Sequence, residues 1–266
     1  MRVCLVTPEP GHPLLAAATA LLEAAGHRVE SLDPDTVAQA PADLADVYLL
    51  KSRTPQALDL ARELERHGAP VLNSAAATTL CQDRTEMAEL ALRGGLPFAG
   101  TRTYGSLAVW AAGEPLGASP LVVKSRHSRR HDLVARVDDR ARLGELAAAW
   151  PQEPVVVQEF APNSGWDHKL WAIGDRVFAA LRRSELAPEG RGPTRSPALA
   201  ELPPGWADLV RRTGEVFALD VYGVDLIDTG DGTPLIVDVN AFPGIRGQAG
   251  APEALAALAL DRAARR

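Results

Sequence analysis

The stretch that most constrains this chain is Gly223 to Gly244, GVDLIDTGDGTPLIVDVNAFPG. Two apolar runs flank Asp231-Gly232. Asp-Gly is a strong signal for a type I′ hairpin turn, whose two central residues need positive φ. If those two residues form the loop, Gly230 faces Thr233 and, counting back, Asp225 lies opposite Asp238. Asn240 stands two residues further on and points to the same face as Asp238. Like charges directly opposed on a sheet are destabilising, so the pair requires a counter-charge. A hard divalent cation is the economical one: Mg²⁺, or Mn²⁺ in its place, accepts Asp and Asn oxygens alongside waters and substrate phosphates. An exposed hairpin with solvated carboxylates is the plainer alternative.

The rest of the composition is that of a water-soluble chain. A length of 266 residues allows one large domain or two to three small ones. Aromatic residues are only 5% of the chain, so its core must be built mostly of Ala, Leu and Val. A net charge of −6 argues against a general nucleic-acid binder. No apolar run approaches the length of a membrane span. The first residues, MRVCLVTPEP, start as a strand and not as the apolar core of a secretion signal. The expected location is therefore the cytoplasm, with Cys4 and Cys81 as reduced, buried thiols.

In chain order, RVCLVT (2–7), 27–32, 47–51 and 71–73 read as strands, and 14–25 and 55–67 as helices. That alternation implies βαβ units and a parallel sheet over residues 1–74, with loop residues such as Glu9 and Arg53 that could touch a ligand at the strand ends or be ordinary surface residues. Asp83 with Glu86 three residues later is a capping-box pattern, and Arg84 follows the cap. LVVK (121–124) and LVARV (133–137) are strands joined by SRHSRRHD, a cationic loop that could clamp an anion or be solvated. Residues 143–150 read as a helix and VVVQEF (155–160) as a buried strand. A second hairpin turns at Gly174-Asp175, which puts Lys169 opposite Ala180 and Asp167 opposite Arg182. Lys169 and Arg182 then share a face suited to a polyanion, unless Asp167 and Arg182 simply pair. Residues 185–204 form a long loop rich in Pro, Gly and Arg, and 206–219 and 252–264 are helices.

Taken together, LVVK (121–124), QEF (158–160), KLWAIG (169–174), RRS (182–184) and D…DVNAFPG (225–244) resemble the ATP-grasp superfamily over roughly residues 71–260. The resemblance implies an α/β protein with α+β subdomains. A parallel α/β domain (1–74) would precede a small ATP-grasp subdomain with linking helices (75–160) and a C-terminal subdomain carrying the metal site (161–266). It implies that ATP lies between the two subdomains. Lys124 and Lys169 would then meet phosphates, Gln158, Glu159 and Phe160 would form the hinge beside adenine, and Asp225, Asp238 and Asn240 would ligate magnesium. Arg84 falls where many members have lysine, and His131 lies in a lid loop that is poorer in glycine than usual.

Two branches of the superfamily compete. The glutamate-ligase-like branch activates a carboxylate as an acyl phosphate, which an amine then attacks. There Arg182, Arg183, Arg195 and Lys169 would serve the substrate and the transferring phosphoryl group. The inositol-polyphosphate-kinase branch moves the phosphoryl group to a hydroxyl, and DVNAFPG, RRS and the His131-Asp132 pair are similar to it. Ligases commonly place Glu where Asp238 stands, whereas the kinases place Asp. The short chain and its Ala/Arg/Gly/Pro bias favour the ligase. A non-catalytic nucleotide-binding module is a third reading. The expected partners are small-molecule or peptide carboxylate and amine substrates of anionic character, and a homodimer is compatible with this. No general base is assigned; His131 and Asp167 are the candidates.

Overall fold

The computed structural model describes residues 1–37, 39–113, 116–184, 186, 194–197 and 199–265. Its first unit follows from the strand–helix alternation. β1 (Arg2–Val6), β2 (Arg28–Leu32), β3 (Val47–Leu50) and β4 (Val71–Leu72) form a parallel sheet in the order β2-β1-β3-β4. The two central strands read as continuous apolar runs because both of their faces are covered. Val3, Leu5, Val47 and Leu49 point towards α1 (Pro13–Ala24), while Cys4, Val6, Tyr48 and Leu50 point towards α2 (Pro55–Arg66). The last helix, α8 (Ala251–Ala264), returns to the α1 side of this sheet and shares its core. Burial drives both thiols up to about 12, so Cys4 and Cys81 are inert.

A second sheet is antiparallel. It holds β5 (Thr101–Tyr104), β6 (Leu121–Ser125), β7 (Val134–Val137) and β8 (Val155–Glu159) in the order β5-β8-β6-β7. One face packs α5 (Leu107–Gly113), which the sequence reading missed, and α6 (Arg140–Ala149) around Trp110, Val123, Leu143 and Val157. Period-two alternation sends Val122, Lys124 and Gln158 to the other face.

The third sheet contains β9 (Trp166–Ile173), β10 (Arg176–Arg183), β11 (Thr194–Arg195), β12 (Val221–Asp228) and β13 (Pro234–Ala241), in the order β11-β10-β9-β12-β13. α3 (Ala75–Leu80), α4 (Arg84–Arg93) and α7 (Trp206–Phe217) bury one face through Met87, Ala91, Trp206, Val210, Val224 and Val239. Thus α3 and α4, grouped by sequence with the small subdomain, share a core with the C-terminal sheet. Of the loop expected over 185–204, residues 185, 187–193 and 198 lie outside the described residues; its Thr194–Arg195 segment pairs with β10, and Leu199–Glu201 forms a single 3-10 turn. No described helix is long and apolar enough to cross a membrane.

The hairpin registers decide what meets what. β9 and β10 pair as the Gly174-Asp175 turn requires, Lys169 opposite Ala180 and Asp167 opposite Arg182. In the β12–β13 hairpin, Asp231 and Gly232 take the expected positive φ of 52° and 77°. Below the turn, however, the ladder is offset by one residue from the simple count, Asp228 pairing with Pro234 and Leu226 with Ile236. A bulge then takes up Val237, and Asp225 faces Asp238 after all.

Candidate active site

The inner faces of the second and third sheets enclose a cavity. Its apolar wall is Val122, Phe160, Ile227 and Leu235; its charged end is Arg84, Lys124, Lys169, Asp225 and Asp238. Antiparallel pairing places Lys169, Asp225 and Asp238 side by side on β9, β12 and β13. The Lys169 ammonium bonds the Asp225 carboxylate, and Arg84 Nη2 lies 3.3 Å from Asp238 Oδ2. The counter-charge expected from a metal alone is therefore supplied in part by the chain's own cations. Lys169 and Asp225 are an opposite-charge cross-strand pair, which offsets the like-charge pair beside it.

The bulge explains how Lys124 is held. Val237 has no ladder partner, and its carbonyl oxygen accepts a bond from Lys124 Nζ at 2.8 Å. Burial lowers the Lys124 ammonium to about 8, against the pull of Asp238. Arg84, whose side chain is only 7% exposed, spans three segments. Its Nη1 donates to the Ser125 carbonyl at 2.8 Å and to Asp132 at 2.7 Å, while Nη2 reaches Asp238. The two facing carboxylates differ in acidity. Burial and the neighbouring Asp238 raise Asp225 above the ordinary aspartate value despite Lys169. At Asp238 burial also pushes upward, yet Arg84, Lys124 and Lys169 together bring it below that value.

The donor set fits a hard divalent cation that keeps other ligands. Asp225 Oδ1 accepts no bond from any described residue, and the two carboxylates are opposed in register. Among the described residues no three His, Cys, Asp or Glu side chains converge as a complete metal cage. Two carboxylates and one Asn oxygen leave positions for water and phosphate oxygens, which suits Mg²⁺. Asn240 pairs with Gly223 one step along the ladder and opens onto an adjoining cavity, lined also by Lys51, Ser52, Arg53, Thr78 and Phe242.

The other sequence-predicted residues divide. Gln158, Glu159, Phe160 and Arg182 line the first cavity. Gln158 Nε2 donates to Thr101 Oγ1 at 3.0 Å, and the Phe160 ring is covered on its far side by the Arg136 guanidinium at 4.1 Å. Arg182 stands 3.8 Å from Asp167, which also faces the cavity. Arg183 and Arg195 are not among the cavity-lining residues; their guanidinium carbons lie 5.4 and 5.2 Å from the Trp166 ring centre. His131 is exposed, with φ 60°, and does not line the cavity. The cationic loop is largely neutralised by distant acids: Arg126 pairs with Asp83 and Arg129 with Glu153, each at 2.7 Å. Sequence reasoning missed Thr78, His12 and Lys51, which carry no local motif.

Comparison with known proteins agrees with this geometry. A family model described as RimK-like ATP-grasp domain matches residues 113–253. A probable alpha-L-glutamate ligase of Shewanella amazonensis is 29% identical over 198 residues, covering 71% of this chain and 65% of that protein. The chain thus spans somewhat under two thirds of the length of this curated relative. A RimK domain ATP-grasp protein from Sphaerobacter thermophilus superimposes with a TM-score of 0.77 at 24% identity, covering 98% of this chain and 100% of its own. The D-alanine–D-alanine ligase of Bacillus anthracis in complex with ATP gives 0.72 at 16% identity, covering 100% and 98%. Both share the fold.

Proposed function

This chain belongs to the RimK-like ATP-grasp domain family, and on that footing we propose that it is an ATP-dependent, ADP-forming carboxylate–amine ligase. The observation that carries the proposal is the row Lys169–Asp225–Asp238 on one sheet facing Lys124 on the other. ATP would lie between the second and third sheets, where Phe160, Ile227 and Leu235, beside Gln158, offer an apolar wall for its base. Lys124, Lys169 and Arg84 hold the phosphates. Magnesium, when bound by Asp225, Asp238 and Asn240, offsets the charge that develops on them.

The acceptor's carboxylate oxygen attacks the γ-phosphorus and the bond to the ADP oxygen breaks. An acyl phosphate results. The amine nitrogen then attacks the acyl carbon, the carbon–oxygen bond breaks, and phosphate departs with one former carboxylate oxygen. Of the protons the amine sheds, one goes to that phosphate and the rest to water. To Arg182, which lines this cavity, we assign the orienting of the transferring group; a role for Arg183 and Arg195, which lie against Trp166 outside the lining, would require a substrate that extends beyond the cavity. Positioning the reactants in one geometry supplies much of the rate gain. The proposed acceptor is a small molecule or peptide of acidic character, as the name of the Shewanella relative suggests, and dependence on ATP would favour a cytoplasmic location. A homodimer is compatible with this scheme, although every residue named comes from one chain.

The kinase reading retains one supporting observation, Asp at position 238. The products separate the two. The ligase forms ADP and free phosphate only when acid and amine are both supplied from panels of amino acids and peptides. Phosphate retained on a hydroxyl acceptor, or turnover indifferent to the amine, contradicts the ligase.

A further inference from the structure

We propose that the second cavity, between the end of β3, α3 and the loop after Asn240, is a subsite for a carboxylate carried by the acceptor away from its reacting end. The assignment of that carboxylate to the acceptor rests on the ligase reading; the subsite itself rests on the cavity. Thr78 is 1% exposed, lines the cavity, and its hydroxyl makes no hydrogen bond. A buried hydroxyl without a partner is costly unless something occupies the space before it. Arg53, on the cavity rim, makes no hydrogen bond or ion pair with any described residue. Its behaviour contrasts with Arg84, Arg126 and Arg129, each held by a carboxylate at 2.7 Å.

Lys51 completes the cationic wall. Its Nζ donates to the Phe242 and Pro243 carbonyls, each at 3.2 Å, and lies 5.3 Å from the Phe242 ring centre. An ammonium has three donors, so one N–H remains. Beneath the same loop, His12 is 6% exposed. Its Nδ1 accepts from the Leu14 amide, which leaves the proton on Nε2, and Nε2 has no partner. Nε2 lies 3.6 Å from where a β-carbon on Gly244 would stand, and Gly244 lines the cavity. Burial first, then Arg53 and Arg246, hold the Lys51 ammonium down to about 8, with Glu9 the acid that opposes them. Among the described residues that line the pocket there is no Asp or Glu beside Lys51 and Arg53.

Ligand class follows from these donors. One unpaired guanidinium and one neutral hydroxyl match the two oxygens and single charge of a carboxylate. Asn240 lies in the same cavity, so an acceptor whose reacting group meets the metal hairpin can reach Arg53 with its far end. Arg53 and Thr78 both precede residue 113, where the family match begins. Selectivity for an acidic acceptor would thus reside in the part of the chain the family match does not reach.

Calorimetric titration of the nucleotide-free protein with glutarate, butyrate and inorganic phosphate tests this. Glutarate binding is expected to weaken about tenfold or more in Arg53→Gln, the loss of one charge-assisted bond. It should weaken less in Thr78→Val, with the melting temperature of that variant unchanged or raised because an unpaired hydroxyl is removed. Glutarate affinity unchanged in both variants overturns the subsite, and phosphate bound more tightly than glutarate overturns the carboxylate assignment. The titration contains no ATP and so judges the subsite alone. Failure of the wild type to form ADP with any acid–amine pair would count against the ligase reading and leave the binding result standing.

Discussion

The two cavities that meet at the β12–β13 hairpin handle charge in opposite ways. In the first, each cation is already engaged: Lys124 by the Val237 carbonyl, Lys169 by Asp225, Arg84 by Asp132 and Asp238. In the second, Lys51 is held by the Phe242 and Pro243 carbonyls, but among the described residues Arg53 has no ion pair or hydrogen bond and the Thr78 hydroxyl and His12 Nε2 have no partner. A site built for a ligand that brings its own cation can balance its charges beforehand, because a magnesium–nucleotide complex exchanges one set of pairs for another. A site whose ligand arrives as a bare anion must keep its donors free. On the proposed reading the first is preorganised by these pairs, and the second would be completed by its ligand.

The contrast can be broken most severely at the β12–β13 hairpin, the proposed metal site. Asp238→Ala or Asn240→Ala is expected to reduce magnesium-dependent ATP turnover by about a thousandfold, the scale of losing a charge-stabilising group in the transition state. Turnover within a few-fold of wild type in a variant with a native circular dichroism spectrum contradicts the assignment. A smaller effect, on stability, separates the cavities directly. Arg84→Met leaves Asp132 and Asp238 without their buried partner and should cost about 3–5 kcal/mol in urea denaturation. Arg53→Met, at an exposed and unpaired position, should change stability by no more than about 0.5 kcal/mol. Equal losses at the two arginines would erase the distinction.

The smallest effect is a pH dependence. Burial lowers the folded-state Lys51 ammonium from its ordinary 10.5 to about 8. Between those values the unfolded chain binds more protons than the folded one, so stability contributed through Lys51 rises with pH across that window and is lost as pH falls through about 8. Wild type should therefore gain stability relative to Lys51→Met when denaturation midpoints are compared from pH 8 to pH 10. Parallel curves would mean that the Lys51 ammonium is hydrated and not buried against the 242–243 loop.

How much of this was readable from the sequence varies with the distance between the residues involved. The β9–β10 register followed from one turn, because the hairpin runs without interruption from Gly174-Asp175 to Asp167 and Arg182. The facing of Asp225 and Asp238 was also reached, although two offsets cancel: the ladder beneath the Asp231-Gly232 turn is displaced by one residue, and the bulge at Val237 restores it. Nothing local announces that bulge, yet it is what frees the carbonyl that Lys124 uses. The role of the cationic 126–131 segment stayed open in the sequence for the complementary reason. Its arginines find Asp83 and Glu153, which lie 43 and 24 residues away in sequence. Of the second cavity only Arg53 was legible, as a strand-end residue that could touch a ligand; parallel crossovers bring His12, Lys51, Thr78 and the 240–244 loop to it from segments with no common motif.

The central claim, ligation through an acyl phosphate held at the β12–β13 hairpin, is tested most directly by following oxygen. An acceptor carboxylate labelled with ¹⁸O is turned over with MgATP and an amine, and the released phosphate is analysed by mass. The mechanism transfers one labelled oxygen into each phosphate, with an amide formed in equal amount. Phosphate that carries no label, or label retained wholly in the acceptor while a phosphoryl group appears on a hydroxyl, would contradict it.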